Sequence, residues 1–240
     1  MIDWLRRDMF EPELELRGET VPIVLRRHPR ARRLTLRLAP DGSEVRITLP
    51  QWARSAEAIA FAHARRKWLE AQMSKLPPRN APRPGAVLQY RGTGLQIDWR
   101  EDAPRKPVLV AETITLGGPH HSLEARLRRW FEQEAQAFFE QDVAHYCAKA
   151  ELAPVPVALS RAQRRWGSCS DRQRIRLNWR LIQAPDHVRR SVVAHEVTHL
   201  VHFDHSPAFH RMLGDLFEDE IEAADAWLKA NGRSLYASFG

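Results

Sequence analysis

The sequence predicts an α+β protein in which a β-rich N-terminal region precedes a mainly helical second half. Three observations predict this class. Short segments of alternating apolar and polar residues fill the first part of the chain, as expected for half-buried strands. A long segment of helical periodicity follows near residue 122. Two further short strands then separate this helix from the helices near the C-terminus.

The N-terminal segment contains alternating strands followed by one helix. The strands are predicted at residues 14–17, 34–38 and 45–49. Asp41-Gly42, between the last two strands, is a strong signal for a hairpin turn. Ser55 can cap a helix that extends to about Leu76, because apolar residues recur after it at helical spacing. Pro77-Pro78 ends that helix, since proline cannot donate the next backbone hydrogen bond.

A proline-rich connector at residues 77–85 leads into a second group of short strands. They are predicted at residues 87–90, 95–99, 108–110 and 113–116. Gly117-Gly118-Pro119 interrupts the pattern, and a long helix follows over about residues 122–152. The interruption gives the predicted domain boundary, with a β-rich domain at residues 1–120 and a second domain at residues 121–240.

Two short strands and a connecting turn precede the last helices. Residues 157–159 and 174–179 are predicted to pair, with Arg165–Asp171 as the turn region between them. Alternation along the second strand puts its polar residues on one face, namely Arg174, Arg176, Asn178 and Arg180. Asp186 is then the expected N-cap of the next helix.

That helix contains the sequence His195-Glu196-Val197-Thr198-His199. Residues four apart lie one turn apart on the same face of an α-helix, so both imidazoles can hold one metal ion. Neutral imidazole suits Zn²⁺, and a carboxylate that does not bind the ion can accept a proton from the water that zinc activates. The neighbouring residues are apolar, and ionisable groups in a buried helix are costly unless they serve a metal. The pattern H-E-x-x-H is typical of zinc hydrolases.

A catalytic zinc ion normally has three protein ligands, so one further ligand is expected. The candidates are His202, His205, His210, Glu218 and Glu220. His205 is favoured, because Ser206-Pro207 resembles the start of a new helix and the chain must turn just before it. Such a turn can bring His205 back to the metal. A third ligand on the same helix, such as His202, could not easily complete a tetrahedron.

Two blocks of the sequence together resemble a known family. The first block is Arg165-Trp166-Gly167-Ser168-Cys169-Ser170 with Leu177-Asn178-Trp179-Arg180-Leu181. The second block is His195-Glu196-Val197-Thr198-His199-Leu200 with Asp204-His205-Ser206 and Phe209. With both blocks present, the chain resembles the YgjP-like metallopeptidases, which are related to the WLM and SprT-like zincins, over nearly its whole length.

The resemblance implies a zincin-like catalytic domain with a long helix, a small sheet, the metal helix and C-terminal helices. It implies that His195, His199 and His205 bind the metal and that Glu196 is the catalytic carboxylate. Two positions depart from the family pattern: Asp204 stands where Asn is frequent, and another imidazole, that of His210, stands where Trp is common.

Composition and charge are those of an ordinary globular protein, with 43% hydrophobic and 28% charged residues. No apolar run reaches the roughly 18 residues of a membrane-spanning helix, and Met1–Arg7 lacks the apolar core of a secretory signal. Membrane partners are therefore not expected. With only Cys147 and Cys169, a disulfide framework is excluded and a cytoplasmic location is expected. The net charge of +7 lies entirely in the first half, which indicates either an arginine-rich surface or a nucleic-acid partner.

Three functions remain open on these observations. The leading hypothesis is a metallopeptidase-type hydrolase with one catalytic zinc ion and a peptide or protein substrate. The second is a metal-dependent pyrophosphatase of nucleoside triphosphates such as UTP, an activity also associated with the resembled family. The third is a nucleic-acid-associated, SprT-like module recruited by the basic first half.

The candidate substrate contacts are Arg165, Arg174, Arg176 and Asn178. The strand at residues 174–179 could pair through its edge with an extended peptide, or its arginines could hold phosphates. Arg165 and the Gly167-Ser168-Cys169 turn could stabilise an oxyanion, or they could form a structural turn only. Cys169 is expected to be a packed thiol rather than a nucleophile or a ligand.

Overall fold

The computed structural model describes residues 12–239, which form two compact units that divide after Pro77. This division differs from the predicted boundary near residue 120. The strands at residues 87–116 belong to the second unit, because their buried side chains share one hydrophobic core with the long helix that follows them. The interpretation of Met1–Arg7 falls outside the described residues.

The first unit contains a four-stranded sheet and two short helices. Its strands are β1 (Glu13–Leu16), β2 (Glu19–Arg27), β3 (Thr35–Leu38) and β4 (Val45–Leu49), in the spatial order β1-β2-β4-β3. Strands β3 and β4 pair antiparallel on either side of Asp41-Gly42, and Gly42 has a φ of +77°, which glycine adopts without strain.

Helices α1 (Ser55–Ala64) and α2 (Arg66–Met73) replace the single helix predicted in the first unit. Ser55, the predicted cap, is instead the first residue of α1, and Arg54 occupies the N-cap position. The hydroxyl group of Ser55 accepts a hydrogen bond from Arg27 at 3.2 Å, and no side chain caps the start of α1.

In the second unit, a four-stranded sheet packs on a long helix. The strands are β5 (Val87–Tyr90), β6 (Thr93–Trp99), β7 (Val108–Val110) and β8 (Thr113–Leu116), in the order β5-β6-β8-β7. Helix α3 (Leu123–Lys149) follows. The ring centroid of Tyr90 lies 5.2 Å from that of Trp130 on α3, and the Tyr90 hydroxyl donates to Glu134 at 2.6 Å. These contacts attach the sheet to α3.

A three-stranded sheet comes next in the chain. It consists of β9 (Val157–Ser160), β10 (Gly167–Cys169) and β11 (Ile175–Asn178), in the order β10-β11-β9. The pairing of β9 with β11 is confirmed, but the segment predicted as a turn supplies an additional strand, β10. Strand β11 is therefore central, and β10 is an edge. The predicted strand at residues 174–179 ends at Asn178, because Trp179–Gln183 forms a 3₁₀ helix.

Three helices complete the second unit: α4 (Asp186–Thr198), α5 (Pro207–Leu216) and α6 (Ile221–Asn231). This order of elements confirms the predicted α+β class. Asp186, the expected N-cap of α4, is instead its first residue, and its carboxylate is engaged by Arg91 and Arg189. Within residues 12–239, none of the helices combines the length and the apolar character that crossing a bilayer requires.

A buried ion pair fixes α4 to α3. The Nε of Arg189 donates to Asp142 Oδ2 at 2.8 Å, and the two side chains are only 3% and 10% exposed. The Arg189 guanidinium also lies 4.8 Å from the ring centroid of Phe138 on α3. These contacts hold α4 less than two turns before His195.

Candidate metal centre

His195 and His199 lie one turn apart at the end of α4. The backbone N–H of His199 donates to the carbonyl oxygen of His195 at 3.2 Å, so both residues share one face although α4 ends at Thr198. Their Nε2 atoms are 3.1 Å apart. The helical geometry therefore brings both imidazoles to the same point.

His205 reaches the same point from the loop between α4 and α5. Ser206 is the N-cap of α5, where its hydroxyl oxygen accepts the backbone N–H of Phe209 at 3.4 Å, and Pro207 begins the helix. His205 Nε2 lies 3.2 Å from His195 Nε2. The structure thus brings together the three histidines that the sequence singles out.

The three ring nitrogens have the spacing that a divalent ion needs. The potential ligand atoms all lie within 4.8 Å of one another. In a tetrahedral site, Zn–N bonds of about 2.0–2.1 Å place two nitrogens about 3.4 Å apart. The separations of 3.1 and 3.2 Å are close to this value. The donor set therefore fits a divalent metal ion.

Hydrogen bonding orients His199, and burial keeps His195 in the form that binds a metal. His199 Nδ1 lies 2.9 Å from the carbonyl oxygen of His202, which places the proton on Nδ1 and leaves the lone pair of Nε2 directed at the cluster. Burial, together with the nearby His199, His205 and His210, lowers the pKa of His195 to about 4. His195 is therefore neutral at pH 7, as a metal ligand must be.

Phe209 packs against all three imidazoles. Its side chain is fully buried, and its ring centroid lies 4.9 Å from that of His195, 4.7 Å from His199 and 4.8 Å from His205. One aromatic ring thus restricts the orientation of the whole cluster. The sequence gives Phe209 no role beyond its place in the family pattern.

Glu196 is buried against the edge strand β10. The residue is only 5% exposed, and a Cβ atom at Gly167 would lie 2.3 Å from Glu196 Oε1. The backbone N–H of Cys169 donates to the carboxylate, whereas Oε2 has no hydrogen-bond partner in the described part of the chain. Burial raises the pKa of Glu196 to about 7, although the charge of Arg165 and the Cys169 N–H oppose the rise. Such a group can accept and release a proton near neutral pH.

Gly167 has a role beside Glu196 that the sequence does not reveal, since the sequence indicates it only as part of a turn. A three-residue strand is too short to show alternation, and glycine in Gly167-Ser168-Cys169 is equally typical of a turn. Its role follows from the missing side chain, which leaves the space that the Glu196 carboxylate occupies.

The other candidate ligands lie away from the cluster or are engaged elsewhere. His202 contributes its backbone carbonyl, and the ring centroid of His210 lies 6.5 Å from that of His205. Glu218 accepts a hydrogen bond from the Tyr146 hydroxyl at 3.0 Å and pairs with Arg190. Glu220 is the N-cap residue of α6.

Of the candidate substrate contacts, Arg165 lies beside the cluster, where it lines a cavity together with His195 and Glu196. Arg174 and Arg176 are exposed. In β11, the residues that alternate with them are buried in the core that also contains α4. The two arginines therefore lie on the face of the sheet that points away from the metal helix.

Asn178 is a structural residue rather than a substrate contact. It is fully buried, and its amide nitrogen donates to the Ala162 carbonyl at 2.8 Å. Its Oδ1 accepts the backbone N–H of Arg180 at 3.1 Å, which caps the 3₁₀ helix. The prediction that Asn178 lies on the polar face of the strand is wrong, because β11 ends at this residue and the chain turns into the core.

An H-E-x-x-H helix with a third histidine from the following loop is typical of metal-dependent hydrolases of the metallopeptidase type. The sequence-family model described as the YgjP-like metallopeptidase domain matches residues 32–231, which is most of the chain. The chain belongs to the YgjP-like metallopeptidase family, which confirms the resemblance seen in the sequence. No curated protein and no solved structure matches the chain.

Proposed function

We propose that the chain is a zinc-dependent peptidase in which Glu196 is the general base. One observation carries the proposal: three imidazole nitrogens converge, and the adjoining carboxylate keeps one oxygen, Oε2, without a hydrogen-bond partner among residues 12–239. Three neutral nitrogen ligands favour zinc over magnesium, which prefers oxygen ligands. His195, His199 and His205 would hold one ion and leave a fourth position open, as in catalytic zinc sites.

When bound, zinc would lower the pKa of water and polarise the substrate carbonyl group. Glu196 accepts the proton of the attacking water at its carboxylate. The same group then donates this proton to the leaving amine, so that one carboxylate acts first as the base and then as the acid. Gly167 keeps the space in which this carboxylate is placed.

The edge strand β10 is the candidate partner for an extended peptide. The earlier hypothesis gave this role to the strand at residues 174–179, but β11 is paired on both sides. Along an antiparallel pair, the backbone N–H and C=O groups of successive residues point alternately toward the partner strand and away from it. In β10, the groups of Ser168 point toward β11, and those of Gly167 and Cys169 point away from it. The Cys169 N–H on that side already donates to Glu196. A peptide paired with Gly167 would therefore lie next to the catalytic carboxylate.

The nucleotide alternative has less support from the geometry. In that hypothesis, the arginines of the strand at residues 174–179 bind the phosphates. Arg174 and Arg176, however, lie on the face of the sheet that points away from the metal helix. The nucleic-acid hypothesis for the basic first half and the cytoplasmic location both stay predictions.

Metal content gives the first test of the proposal. Purified full-length chain is expected to bind one zinc ion, His205→Ala is expected to lose it, and the neighbouring control His210→Ala is expected to keep it. If wild type takes up no zinc, or if His205→Ala retains it as tightly, the proposed centre is wrong.

A side-by-side assay with an unfolded protein and with UTP tests the reaction, with zinc removed and restored. Wild type is expected to cleave the protein in a zinc-dependent manner, and Glu196→Gln is expected to lose at least about 100-fold in rate while keeping its zinc. Full activity of Glu196→Gln contradicts the mechanism. Turnover of UTP without cleavage of the protein would support the pyrophosphatase instead.

A further inference from the structure

A cavity of about 370 Å³ adjoins the proposed general base, and three helices build it. On α4, Val192 lies one turn before Glu196 and therefore on the same face. Leu213 contributes from α5, and Ile221 and Leu228, seven residues apart on α6, contribute from a third side. Each helix thus presents one face to the same space.

The walls of this cavity are mainly apolar, and its ionisable groups other than His195 and Glu196 of the proposed centre lie at the mouth. Val192 and Leu213 are 9% and 4% exposed, whereas Arg165, His210 and Asp225 are exposed. Arg165 is the one Lys or Arg among the lining residues, and the carboxylate of Asp225 opposes its charge. A phosphate or carboxylate group that entered the cavity would lose its hydration, and no excess positive charge would compensate for the loss. Binding of such an anion is therefore unfavourable.

We infer that the cavity is a specificity subsite that receives one uncharged apolar side chain, of leucine to phenylalanine size, from a residue that flanks the cleaved bond. The inference rests on the proposed peptidase function. The cavity is near the lower limit of about 300–1,000 Å³ for ligand pockets, so it suits one side chain better than a larger molecule. Ile221, half-buried at the start of α6, limits the space that the side chain can enter.

Burial of such a side chain favours the substrate that has it. Moving a leucine or phenylalanine side chain from water into apolar surroundings corresponds to about 10- to 100-fold in kcat/KM relative to alanine. Glutamate at the same position is expected to be rejected, because the Glu196 carboxylate lines the cavity and its buried walls offer no cation to pair with a second carboxylate.

A peptide library that is randomised on both sides of the cleaved bond measures the preference, with full-length zinc-loaded chain. Wild type is expected to favour Leu and Phe over Ala at one flanking position by at least about tenfold. Ile221→Trp fills the cavity and is expected to abolish this preference, whereas Ile221→Ala enlarges the cavity and is expected to shift it toward Phe. Ala223→Trp is the matched control, because Ala223 is exposed on the opposite side of α6.

Binding of N-acetyl-phenylalanine amide, followed by ligand-observed NMR, gives a readout without turnover. Binding is expected to weaken at least about fivefold in Ile221→Trp and to be unchanged in Ala223→Trp. If wild type cleaves no peptide but shows this pattern, the cavity binds apolar side chains but is not a peptidase subsite, and the proposed function fails. If wild type cleaves peptides with the same preference as both Ile221 variants, or favours charged residues at both flanking positions, the subsite is wrong and the peptidase stands.

Discussion

Gly167→Ala is expected to abolish the proposed peptidase activity without lowering the measured zinc content. The added Cβ would lie 2.3 Å from Glu196 Oε1 and 2.7 Å from Cδ, whereas ordinary contacts begin at 3.4 Å. The carboxylate must therefore move by about 1 Å, because β10 is held by its pairing with β11. A displacement of this size at a catalytic group costs about 100-fold in rate.

The assay is kcat for protein cleavage, measured with zinc content and urea unfolding for each variant. Overpacking at Gly167 is expected to lower the free energy of unfolding by about 1–3 kcal/mol. Gly214→Ala is the matched control, since a Cβ there meets no atom within 4 Å. In the interior of α5 it is expected to leave kcat unchanged and to raise the free energy of unfolding by about 0.5–1 kcal/mol.

A double variant separates a collision from general damage. Glu196→Ala removes every side-chain atom that the new Cβ would meet, so adding Gly167→Ala to it is expected to lower the remaining kcat little further. If the two losses instead multiply in full, or if Gly167→Ala alone stays within about threefold of wild type, the reasoning from the 2.3 Å contact is refuted.

Three further outcomes follow from the second unit. Arg189→Met is expected to lower the free energy of unfolding by about 3 kcal/mol, measured in urea, because the buried carboxylate of Asp142 loses its main partner. Burial acts to raise the pKa of Asp186, but Arg91 and Arg189 outweigh it and hold the pKa below the ordinary 3.8. The ionised Asp186 therefore contributes its full stabilisation above pH 3.8 and loses it as the pH falls through the lowered pKa. In urea unfolding, the free energy of unfolding of Asp186→Asn is expected to fall less on acidification than that of wild type. Phe209→Ala is expected to destabilise the chain by about 3–5 kcal/mol and to weaken zinc binding in a competition assay with a chelator.

Each outcome has a comparison that can contradict it. Arg161→Gln removes an ion pair with Glu132 in which the arginine side chain is 73% exposed, and it is expected to change the free energy of unfolding by under about 1 kcal/mol. An equal effect of Arg161→Gln and Arg189→Met would contradict the importance of burial. Equal acid sensitivity of wild type and Asp186→Asn would contradict the pH argument. Zinc affinity unchanged in Phe209→Ala would show that the ring does not orient the histidines.

The metal helix was predictable because its signals are local. The spacing of His195 and His199 depends only on helical geometry, and Ser206-Pro207 is a helix start that needs no distant partner. These two features were enough to expect a turn that returns His205. The Cβ-free space at Gly167 was not predictable, because it exists only where β10 meets α4.

The parts of the fold that differed from prediction depend on long-range contacts. Asn178 alternates with apolar residues as an exposed strand residue would, but the chain turns into a 3₁₀ helix and buries it. Asp186 has the residue type of an N-cap, yet distant arginines engage its carboxylate. The predicted boundary near residue 120 followed a glycine-proline interruption, while side-chain packing joins the strands before it to α3.

The end of α4 at Thr198 is as necessary to the metal centre as the spacing of its histidines. If the helix continued, residue 205 would lie about 9 Å further along the axis than His199, out of reach of the same ion. The helix instead stops, and the Nδ1 of His199 donates to the carbonyl of His202 in the turn that follows. One hydrogen bond therefore orients His199 and stabilises the loop that returns His205 to the cluster. The buried pair at Arg189 holds the other part of α4, so His205 from an exposed loop meets two histidines at the end of a fixed helix.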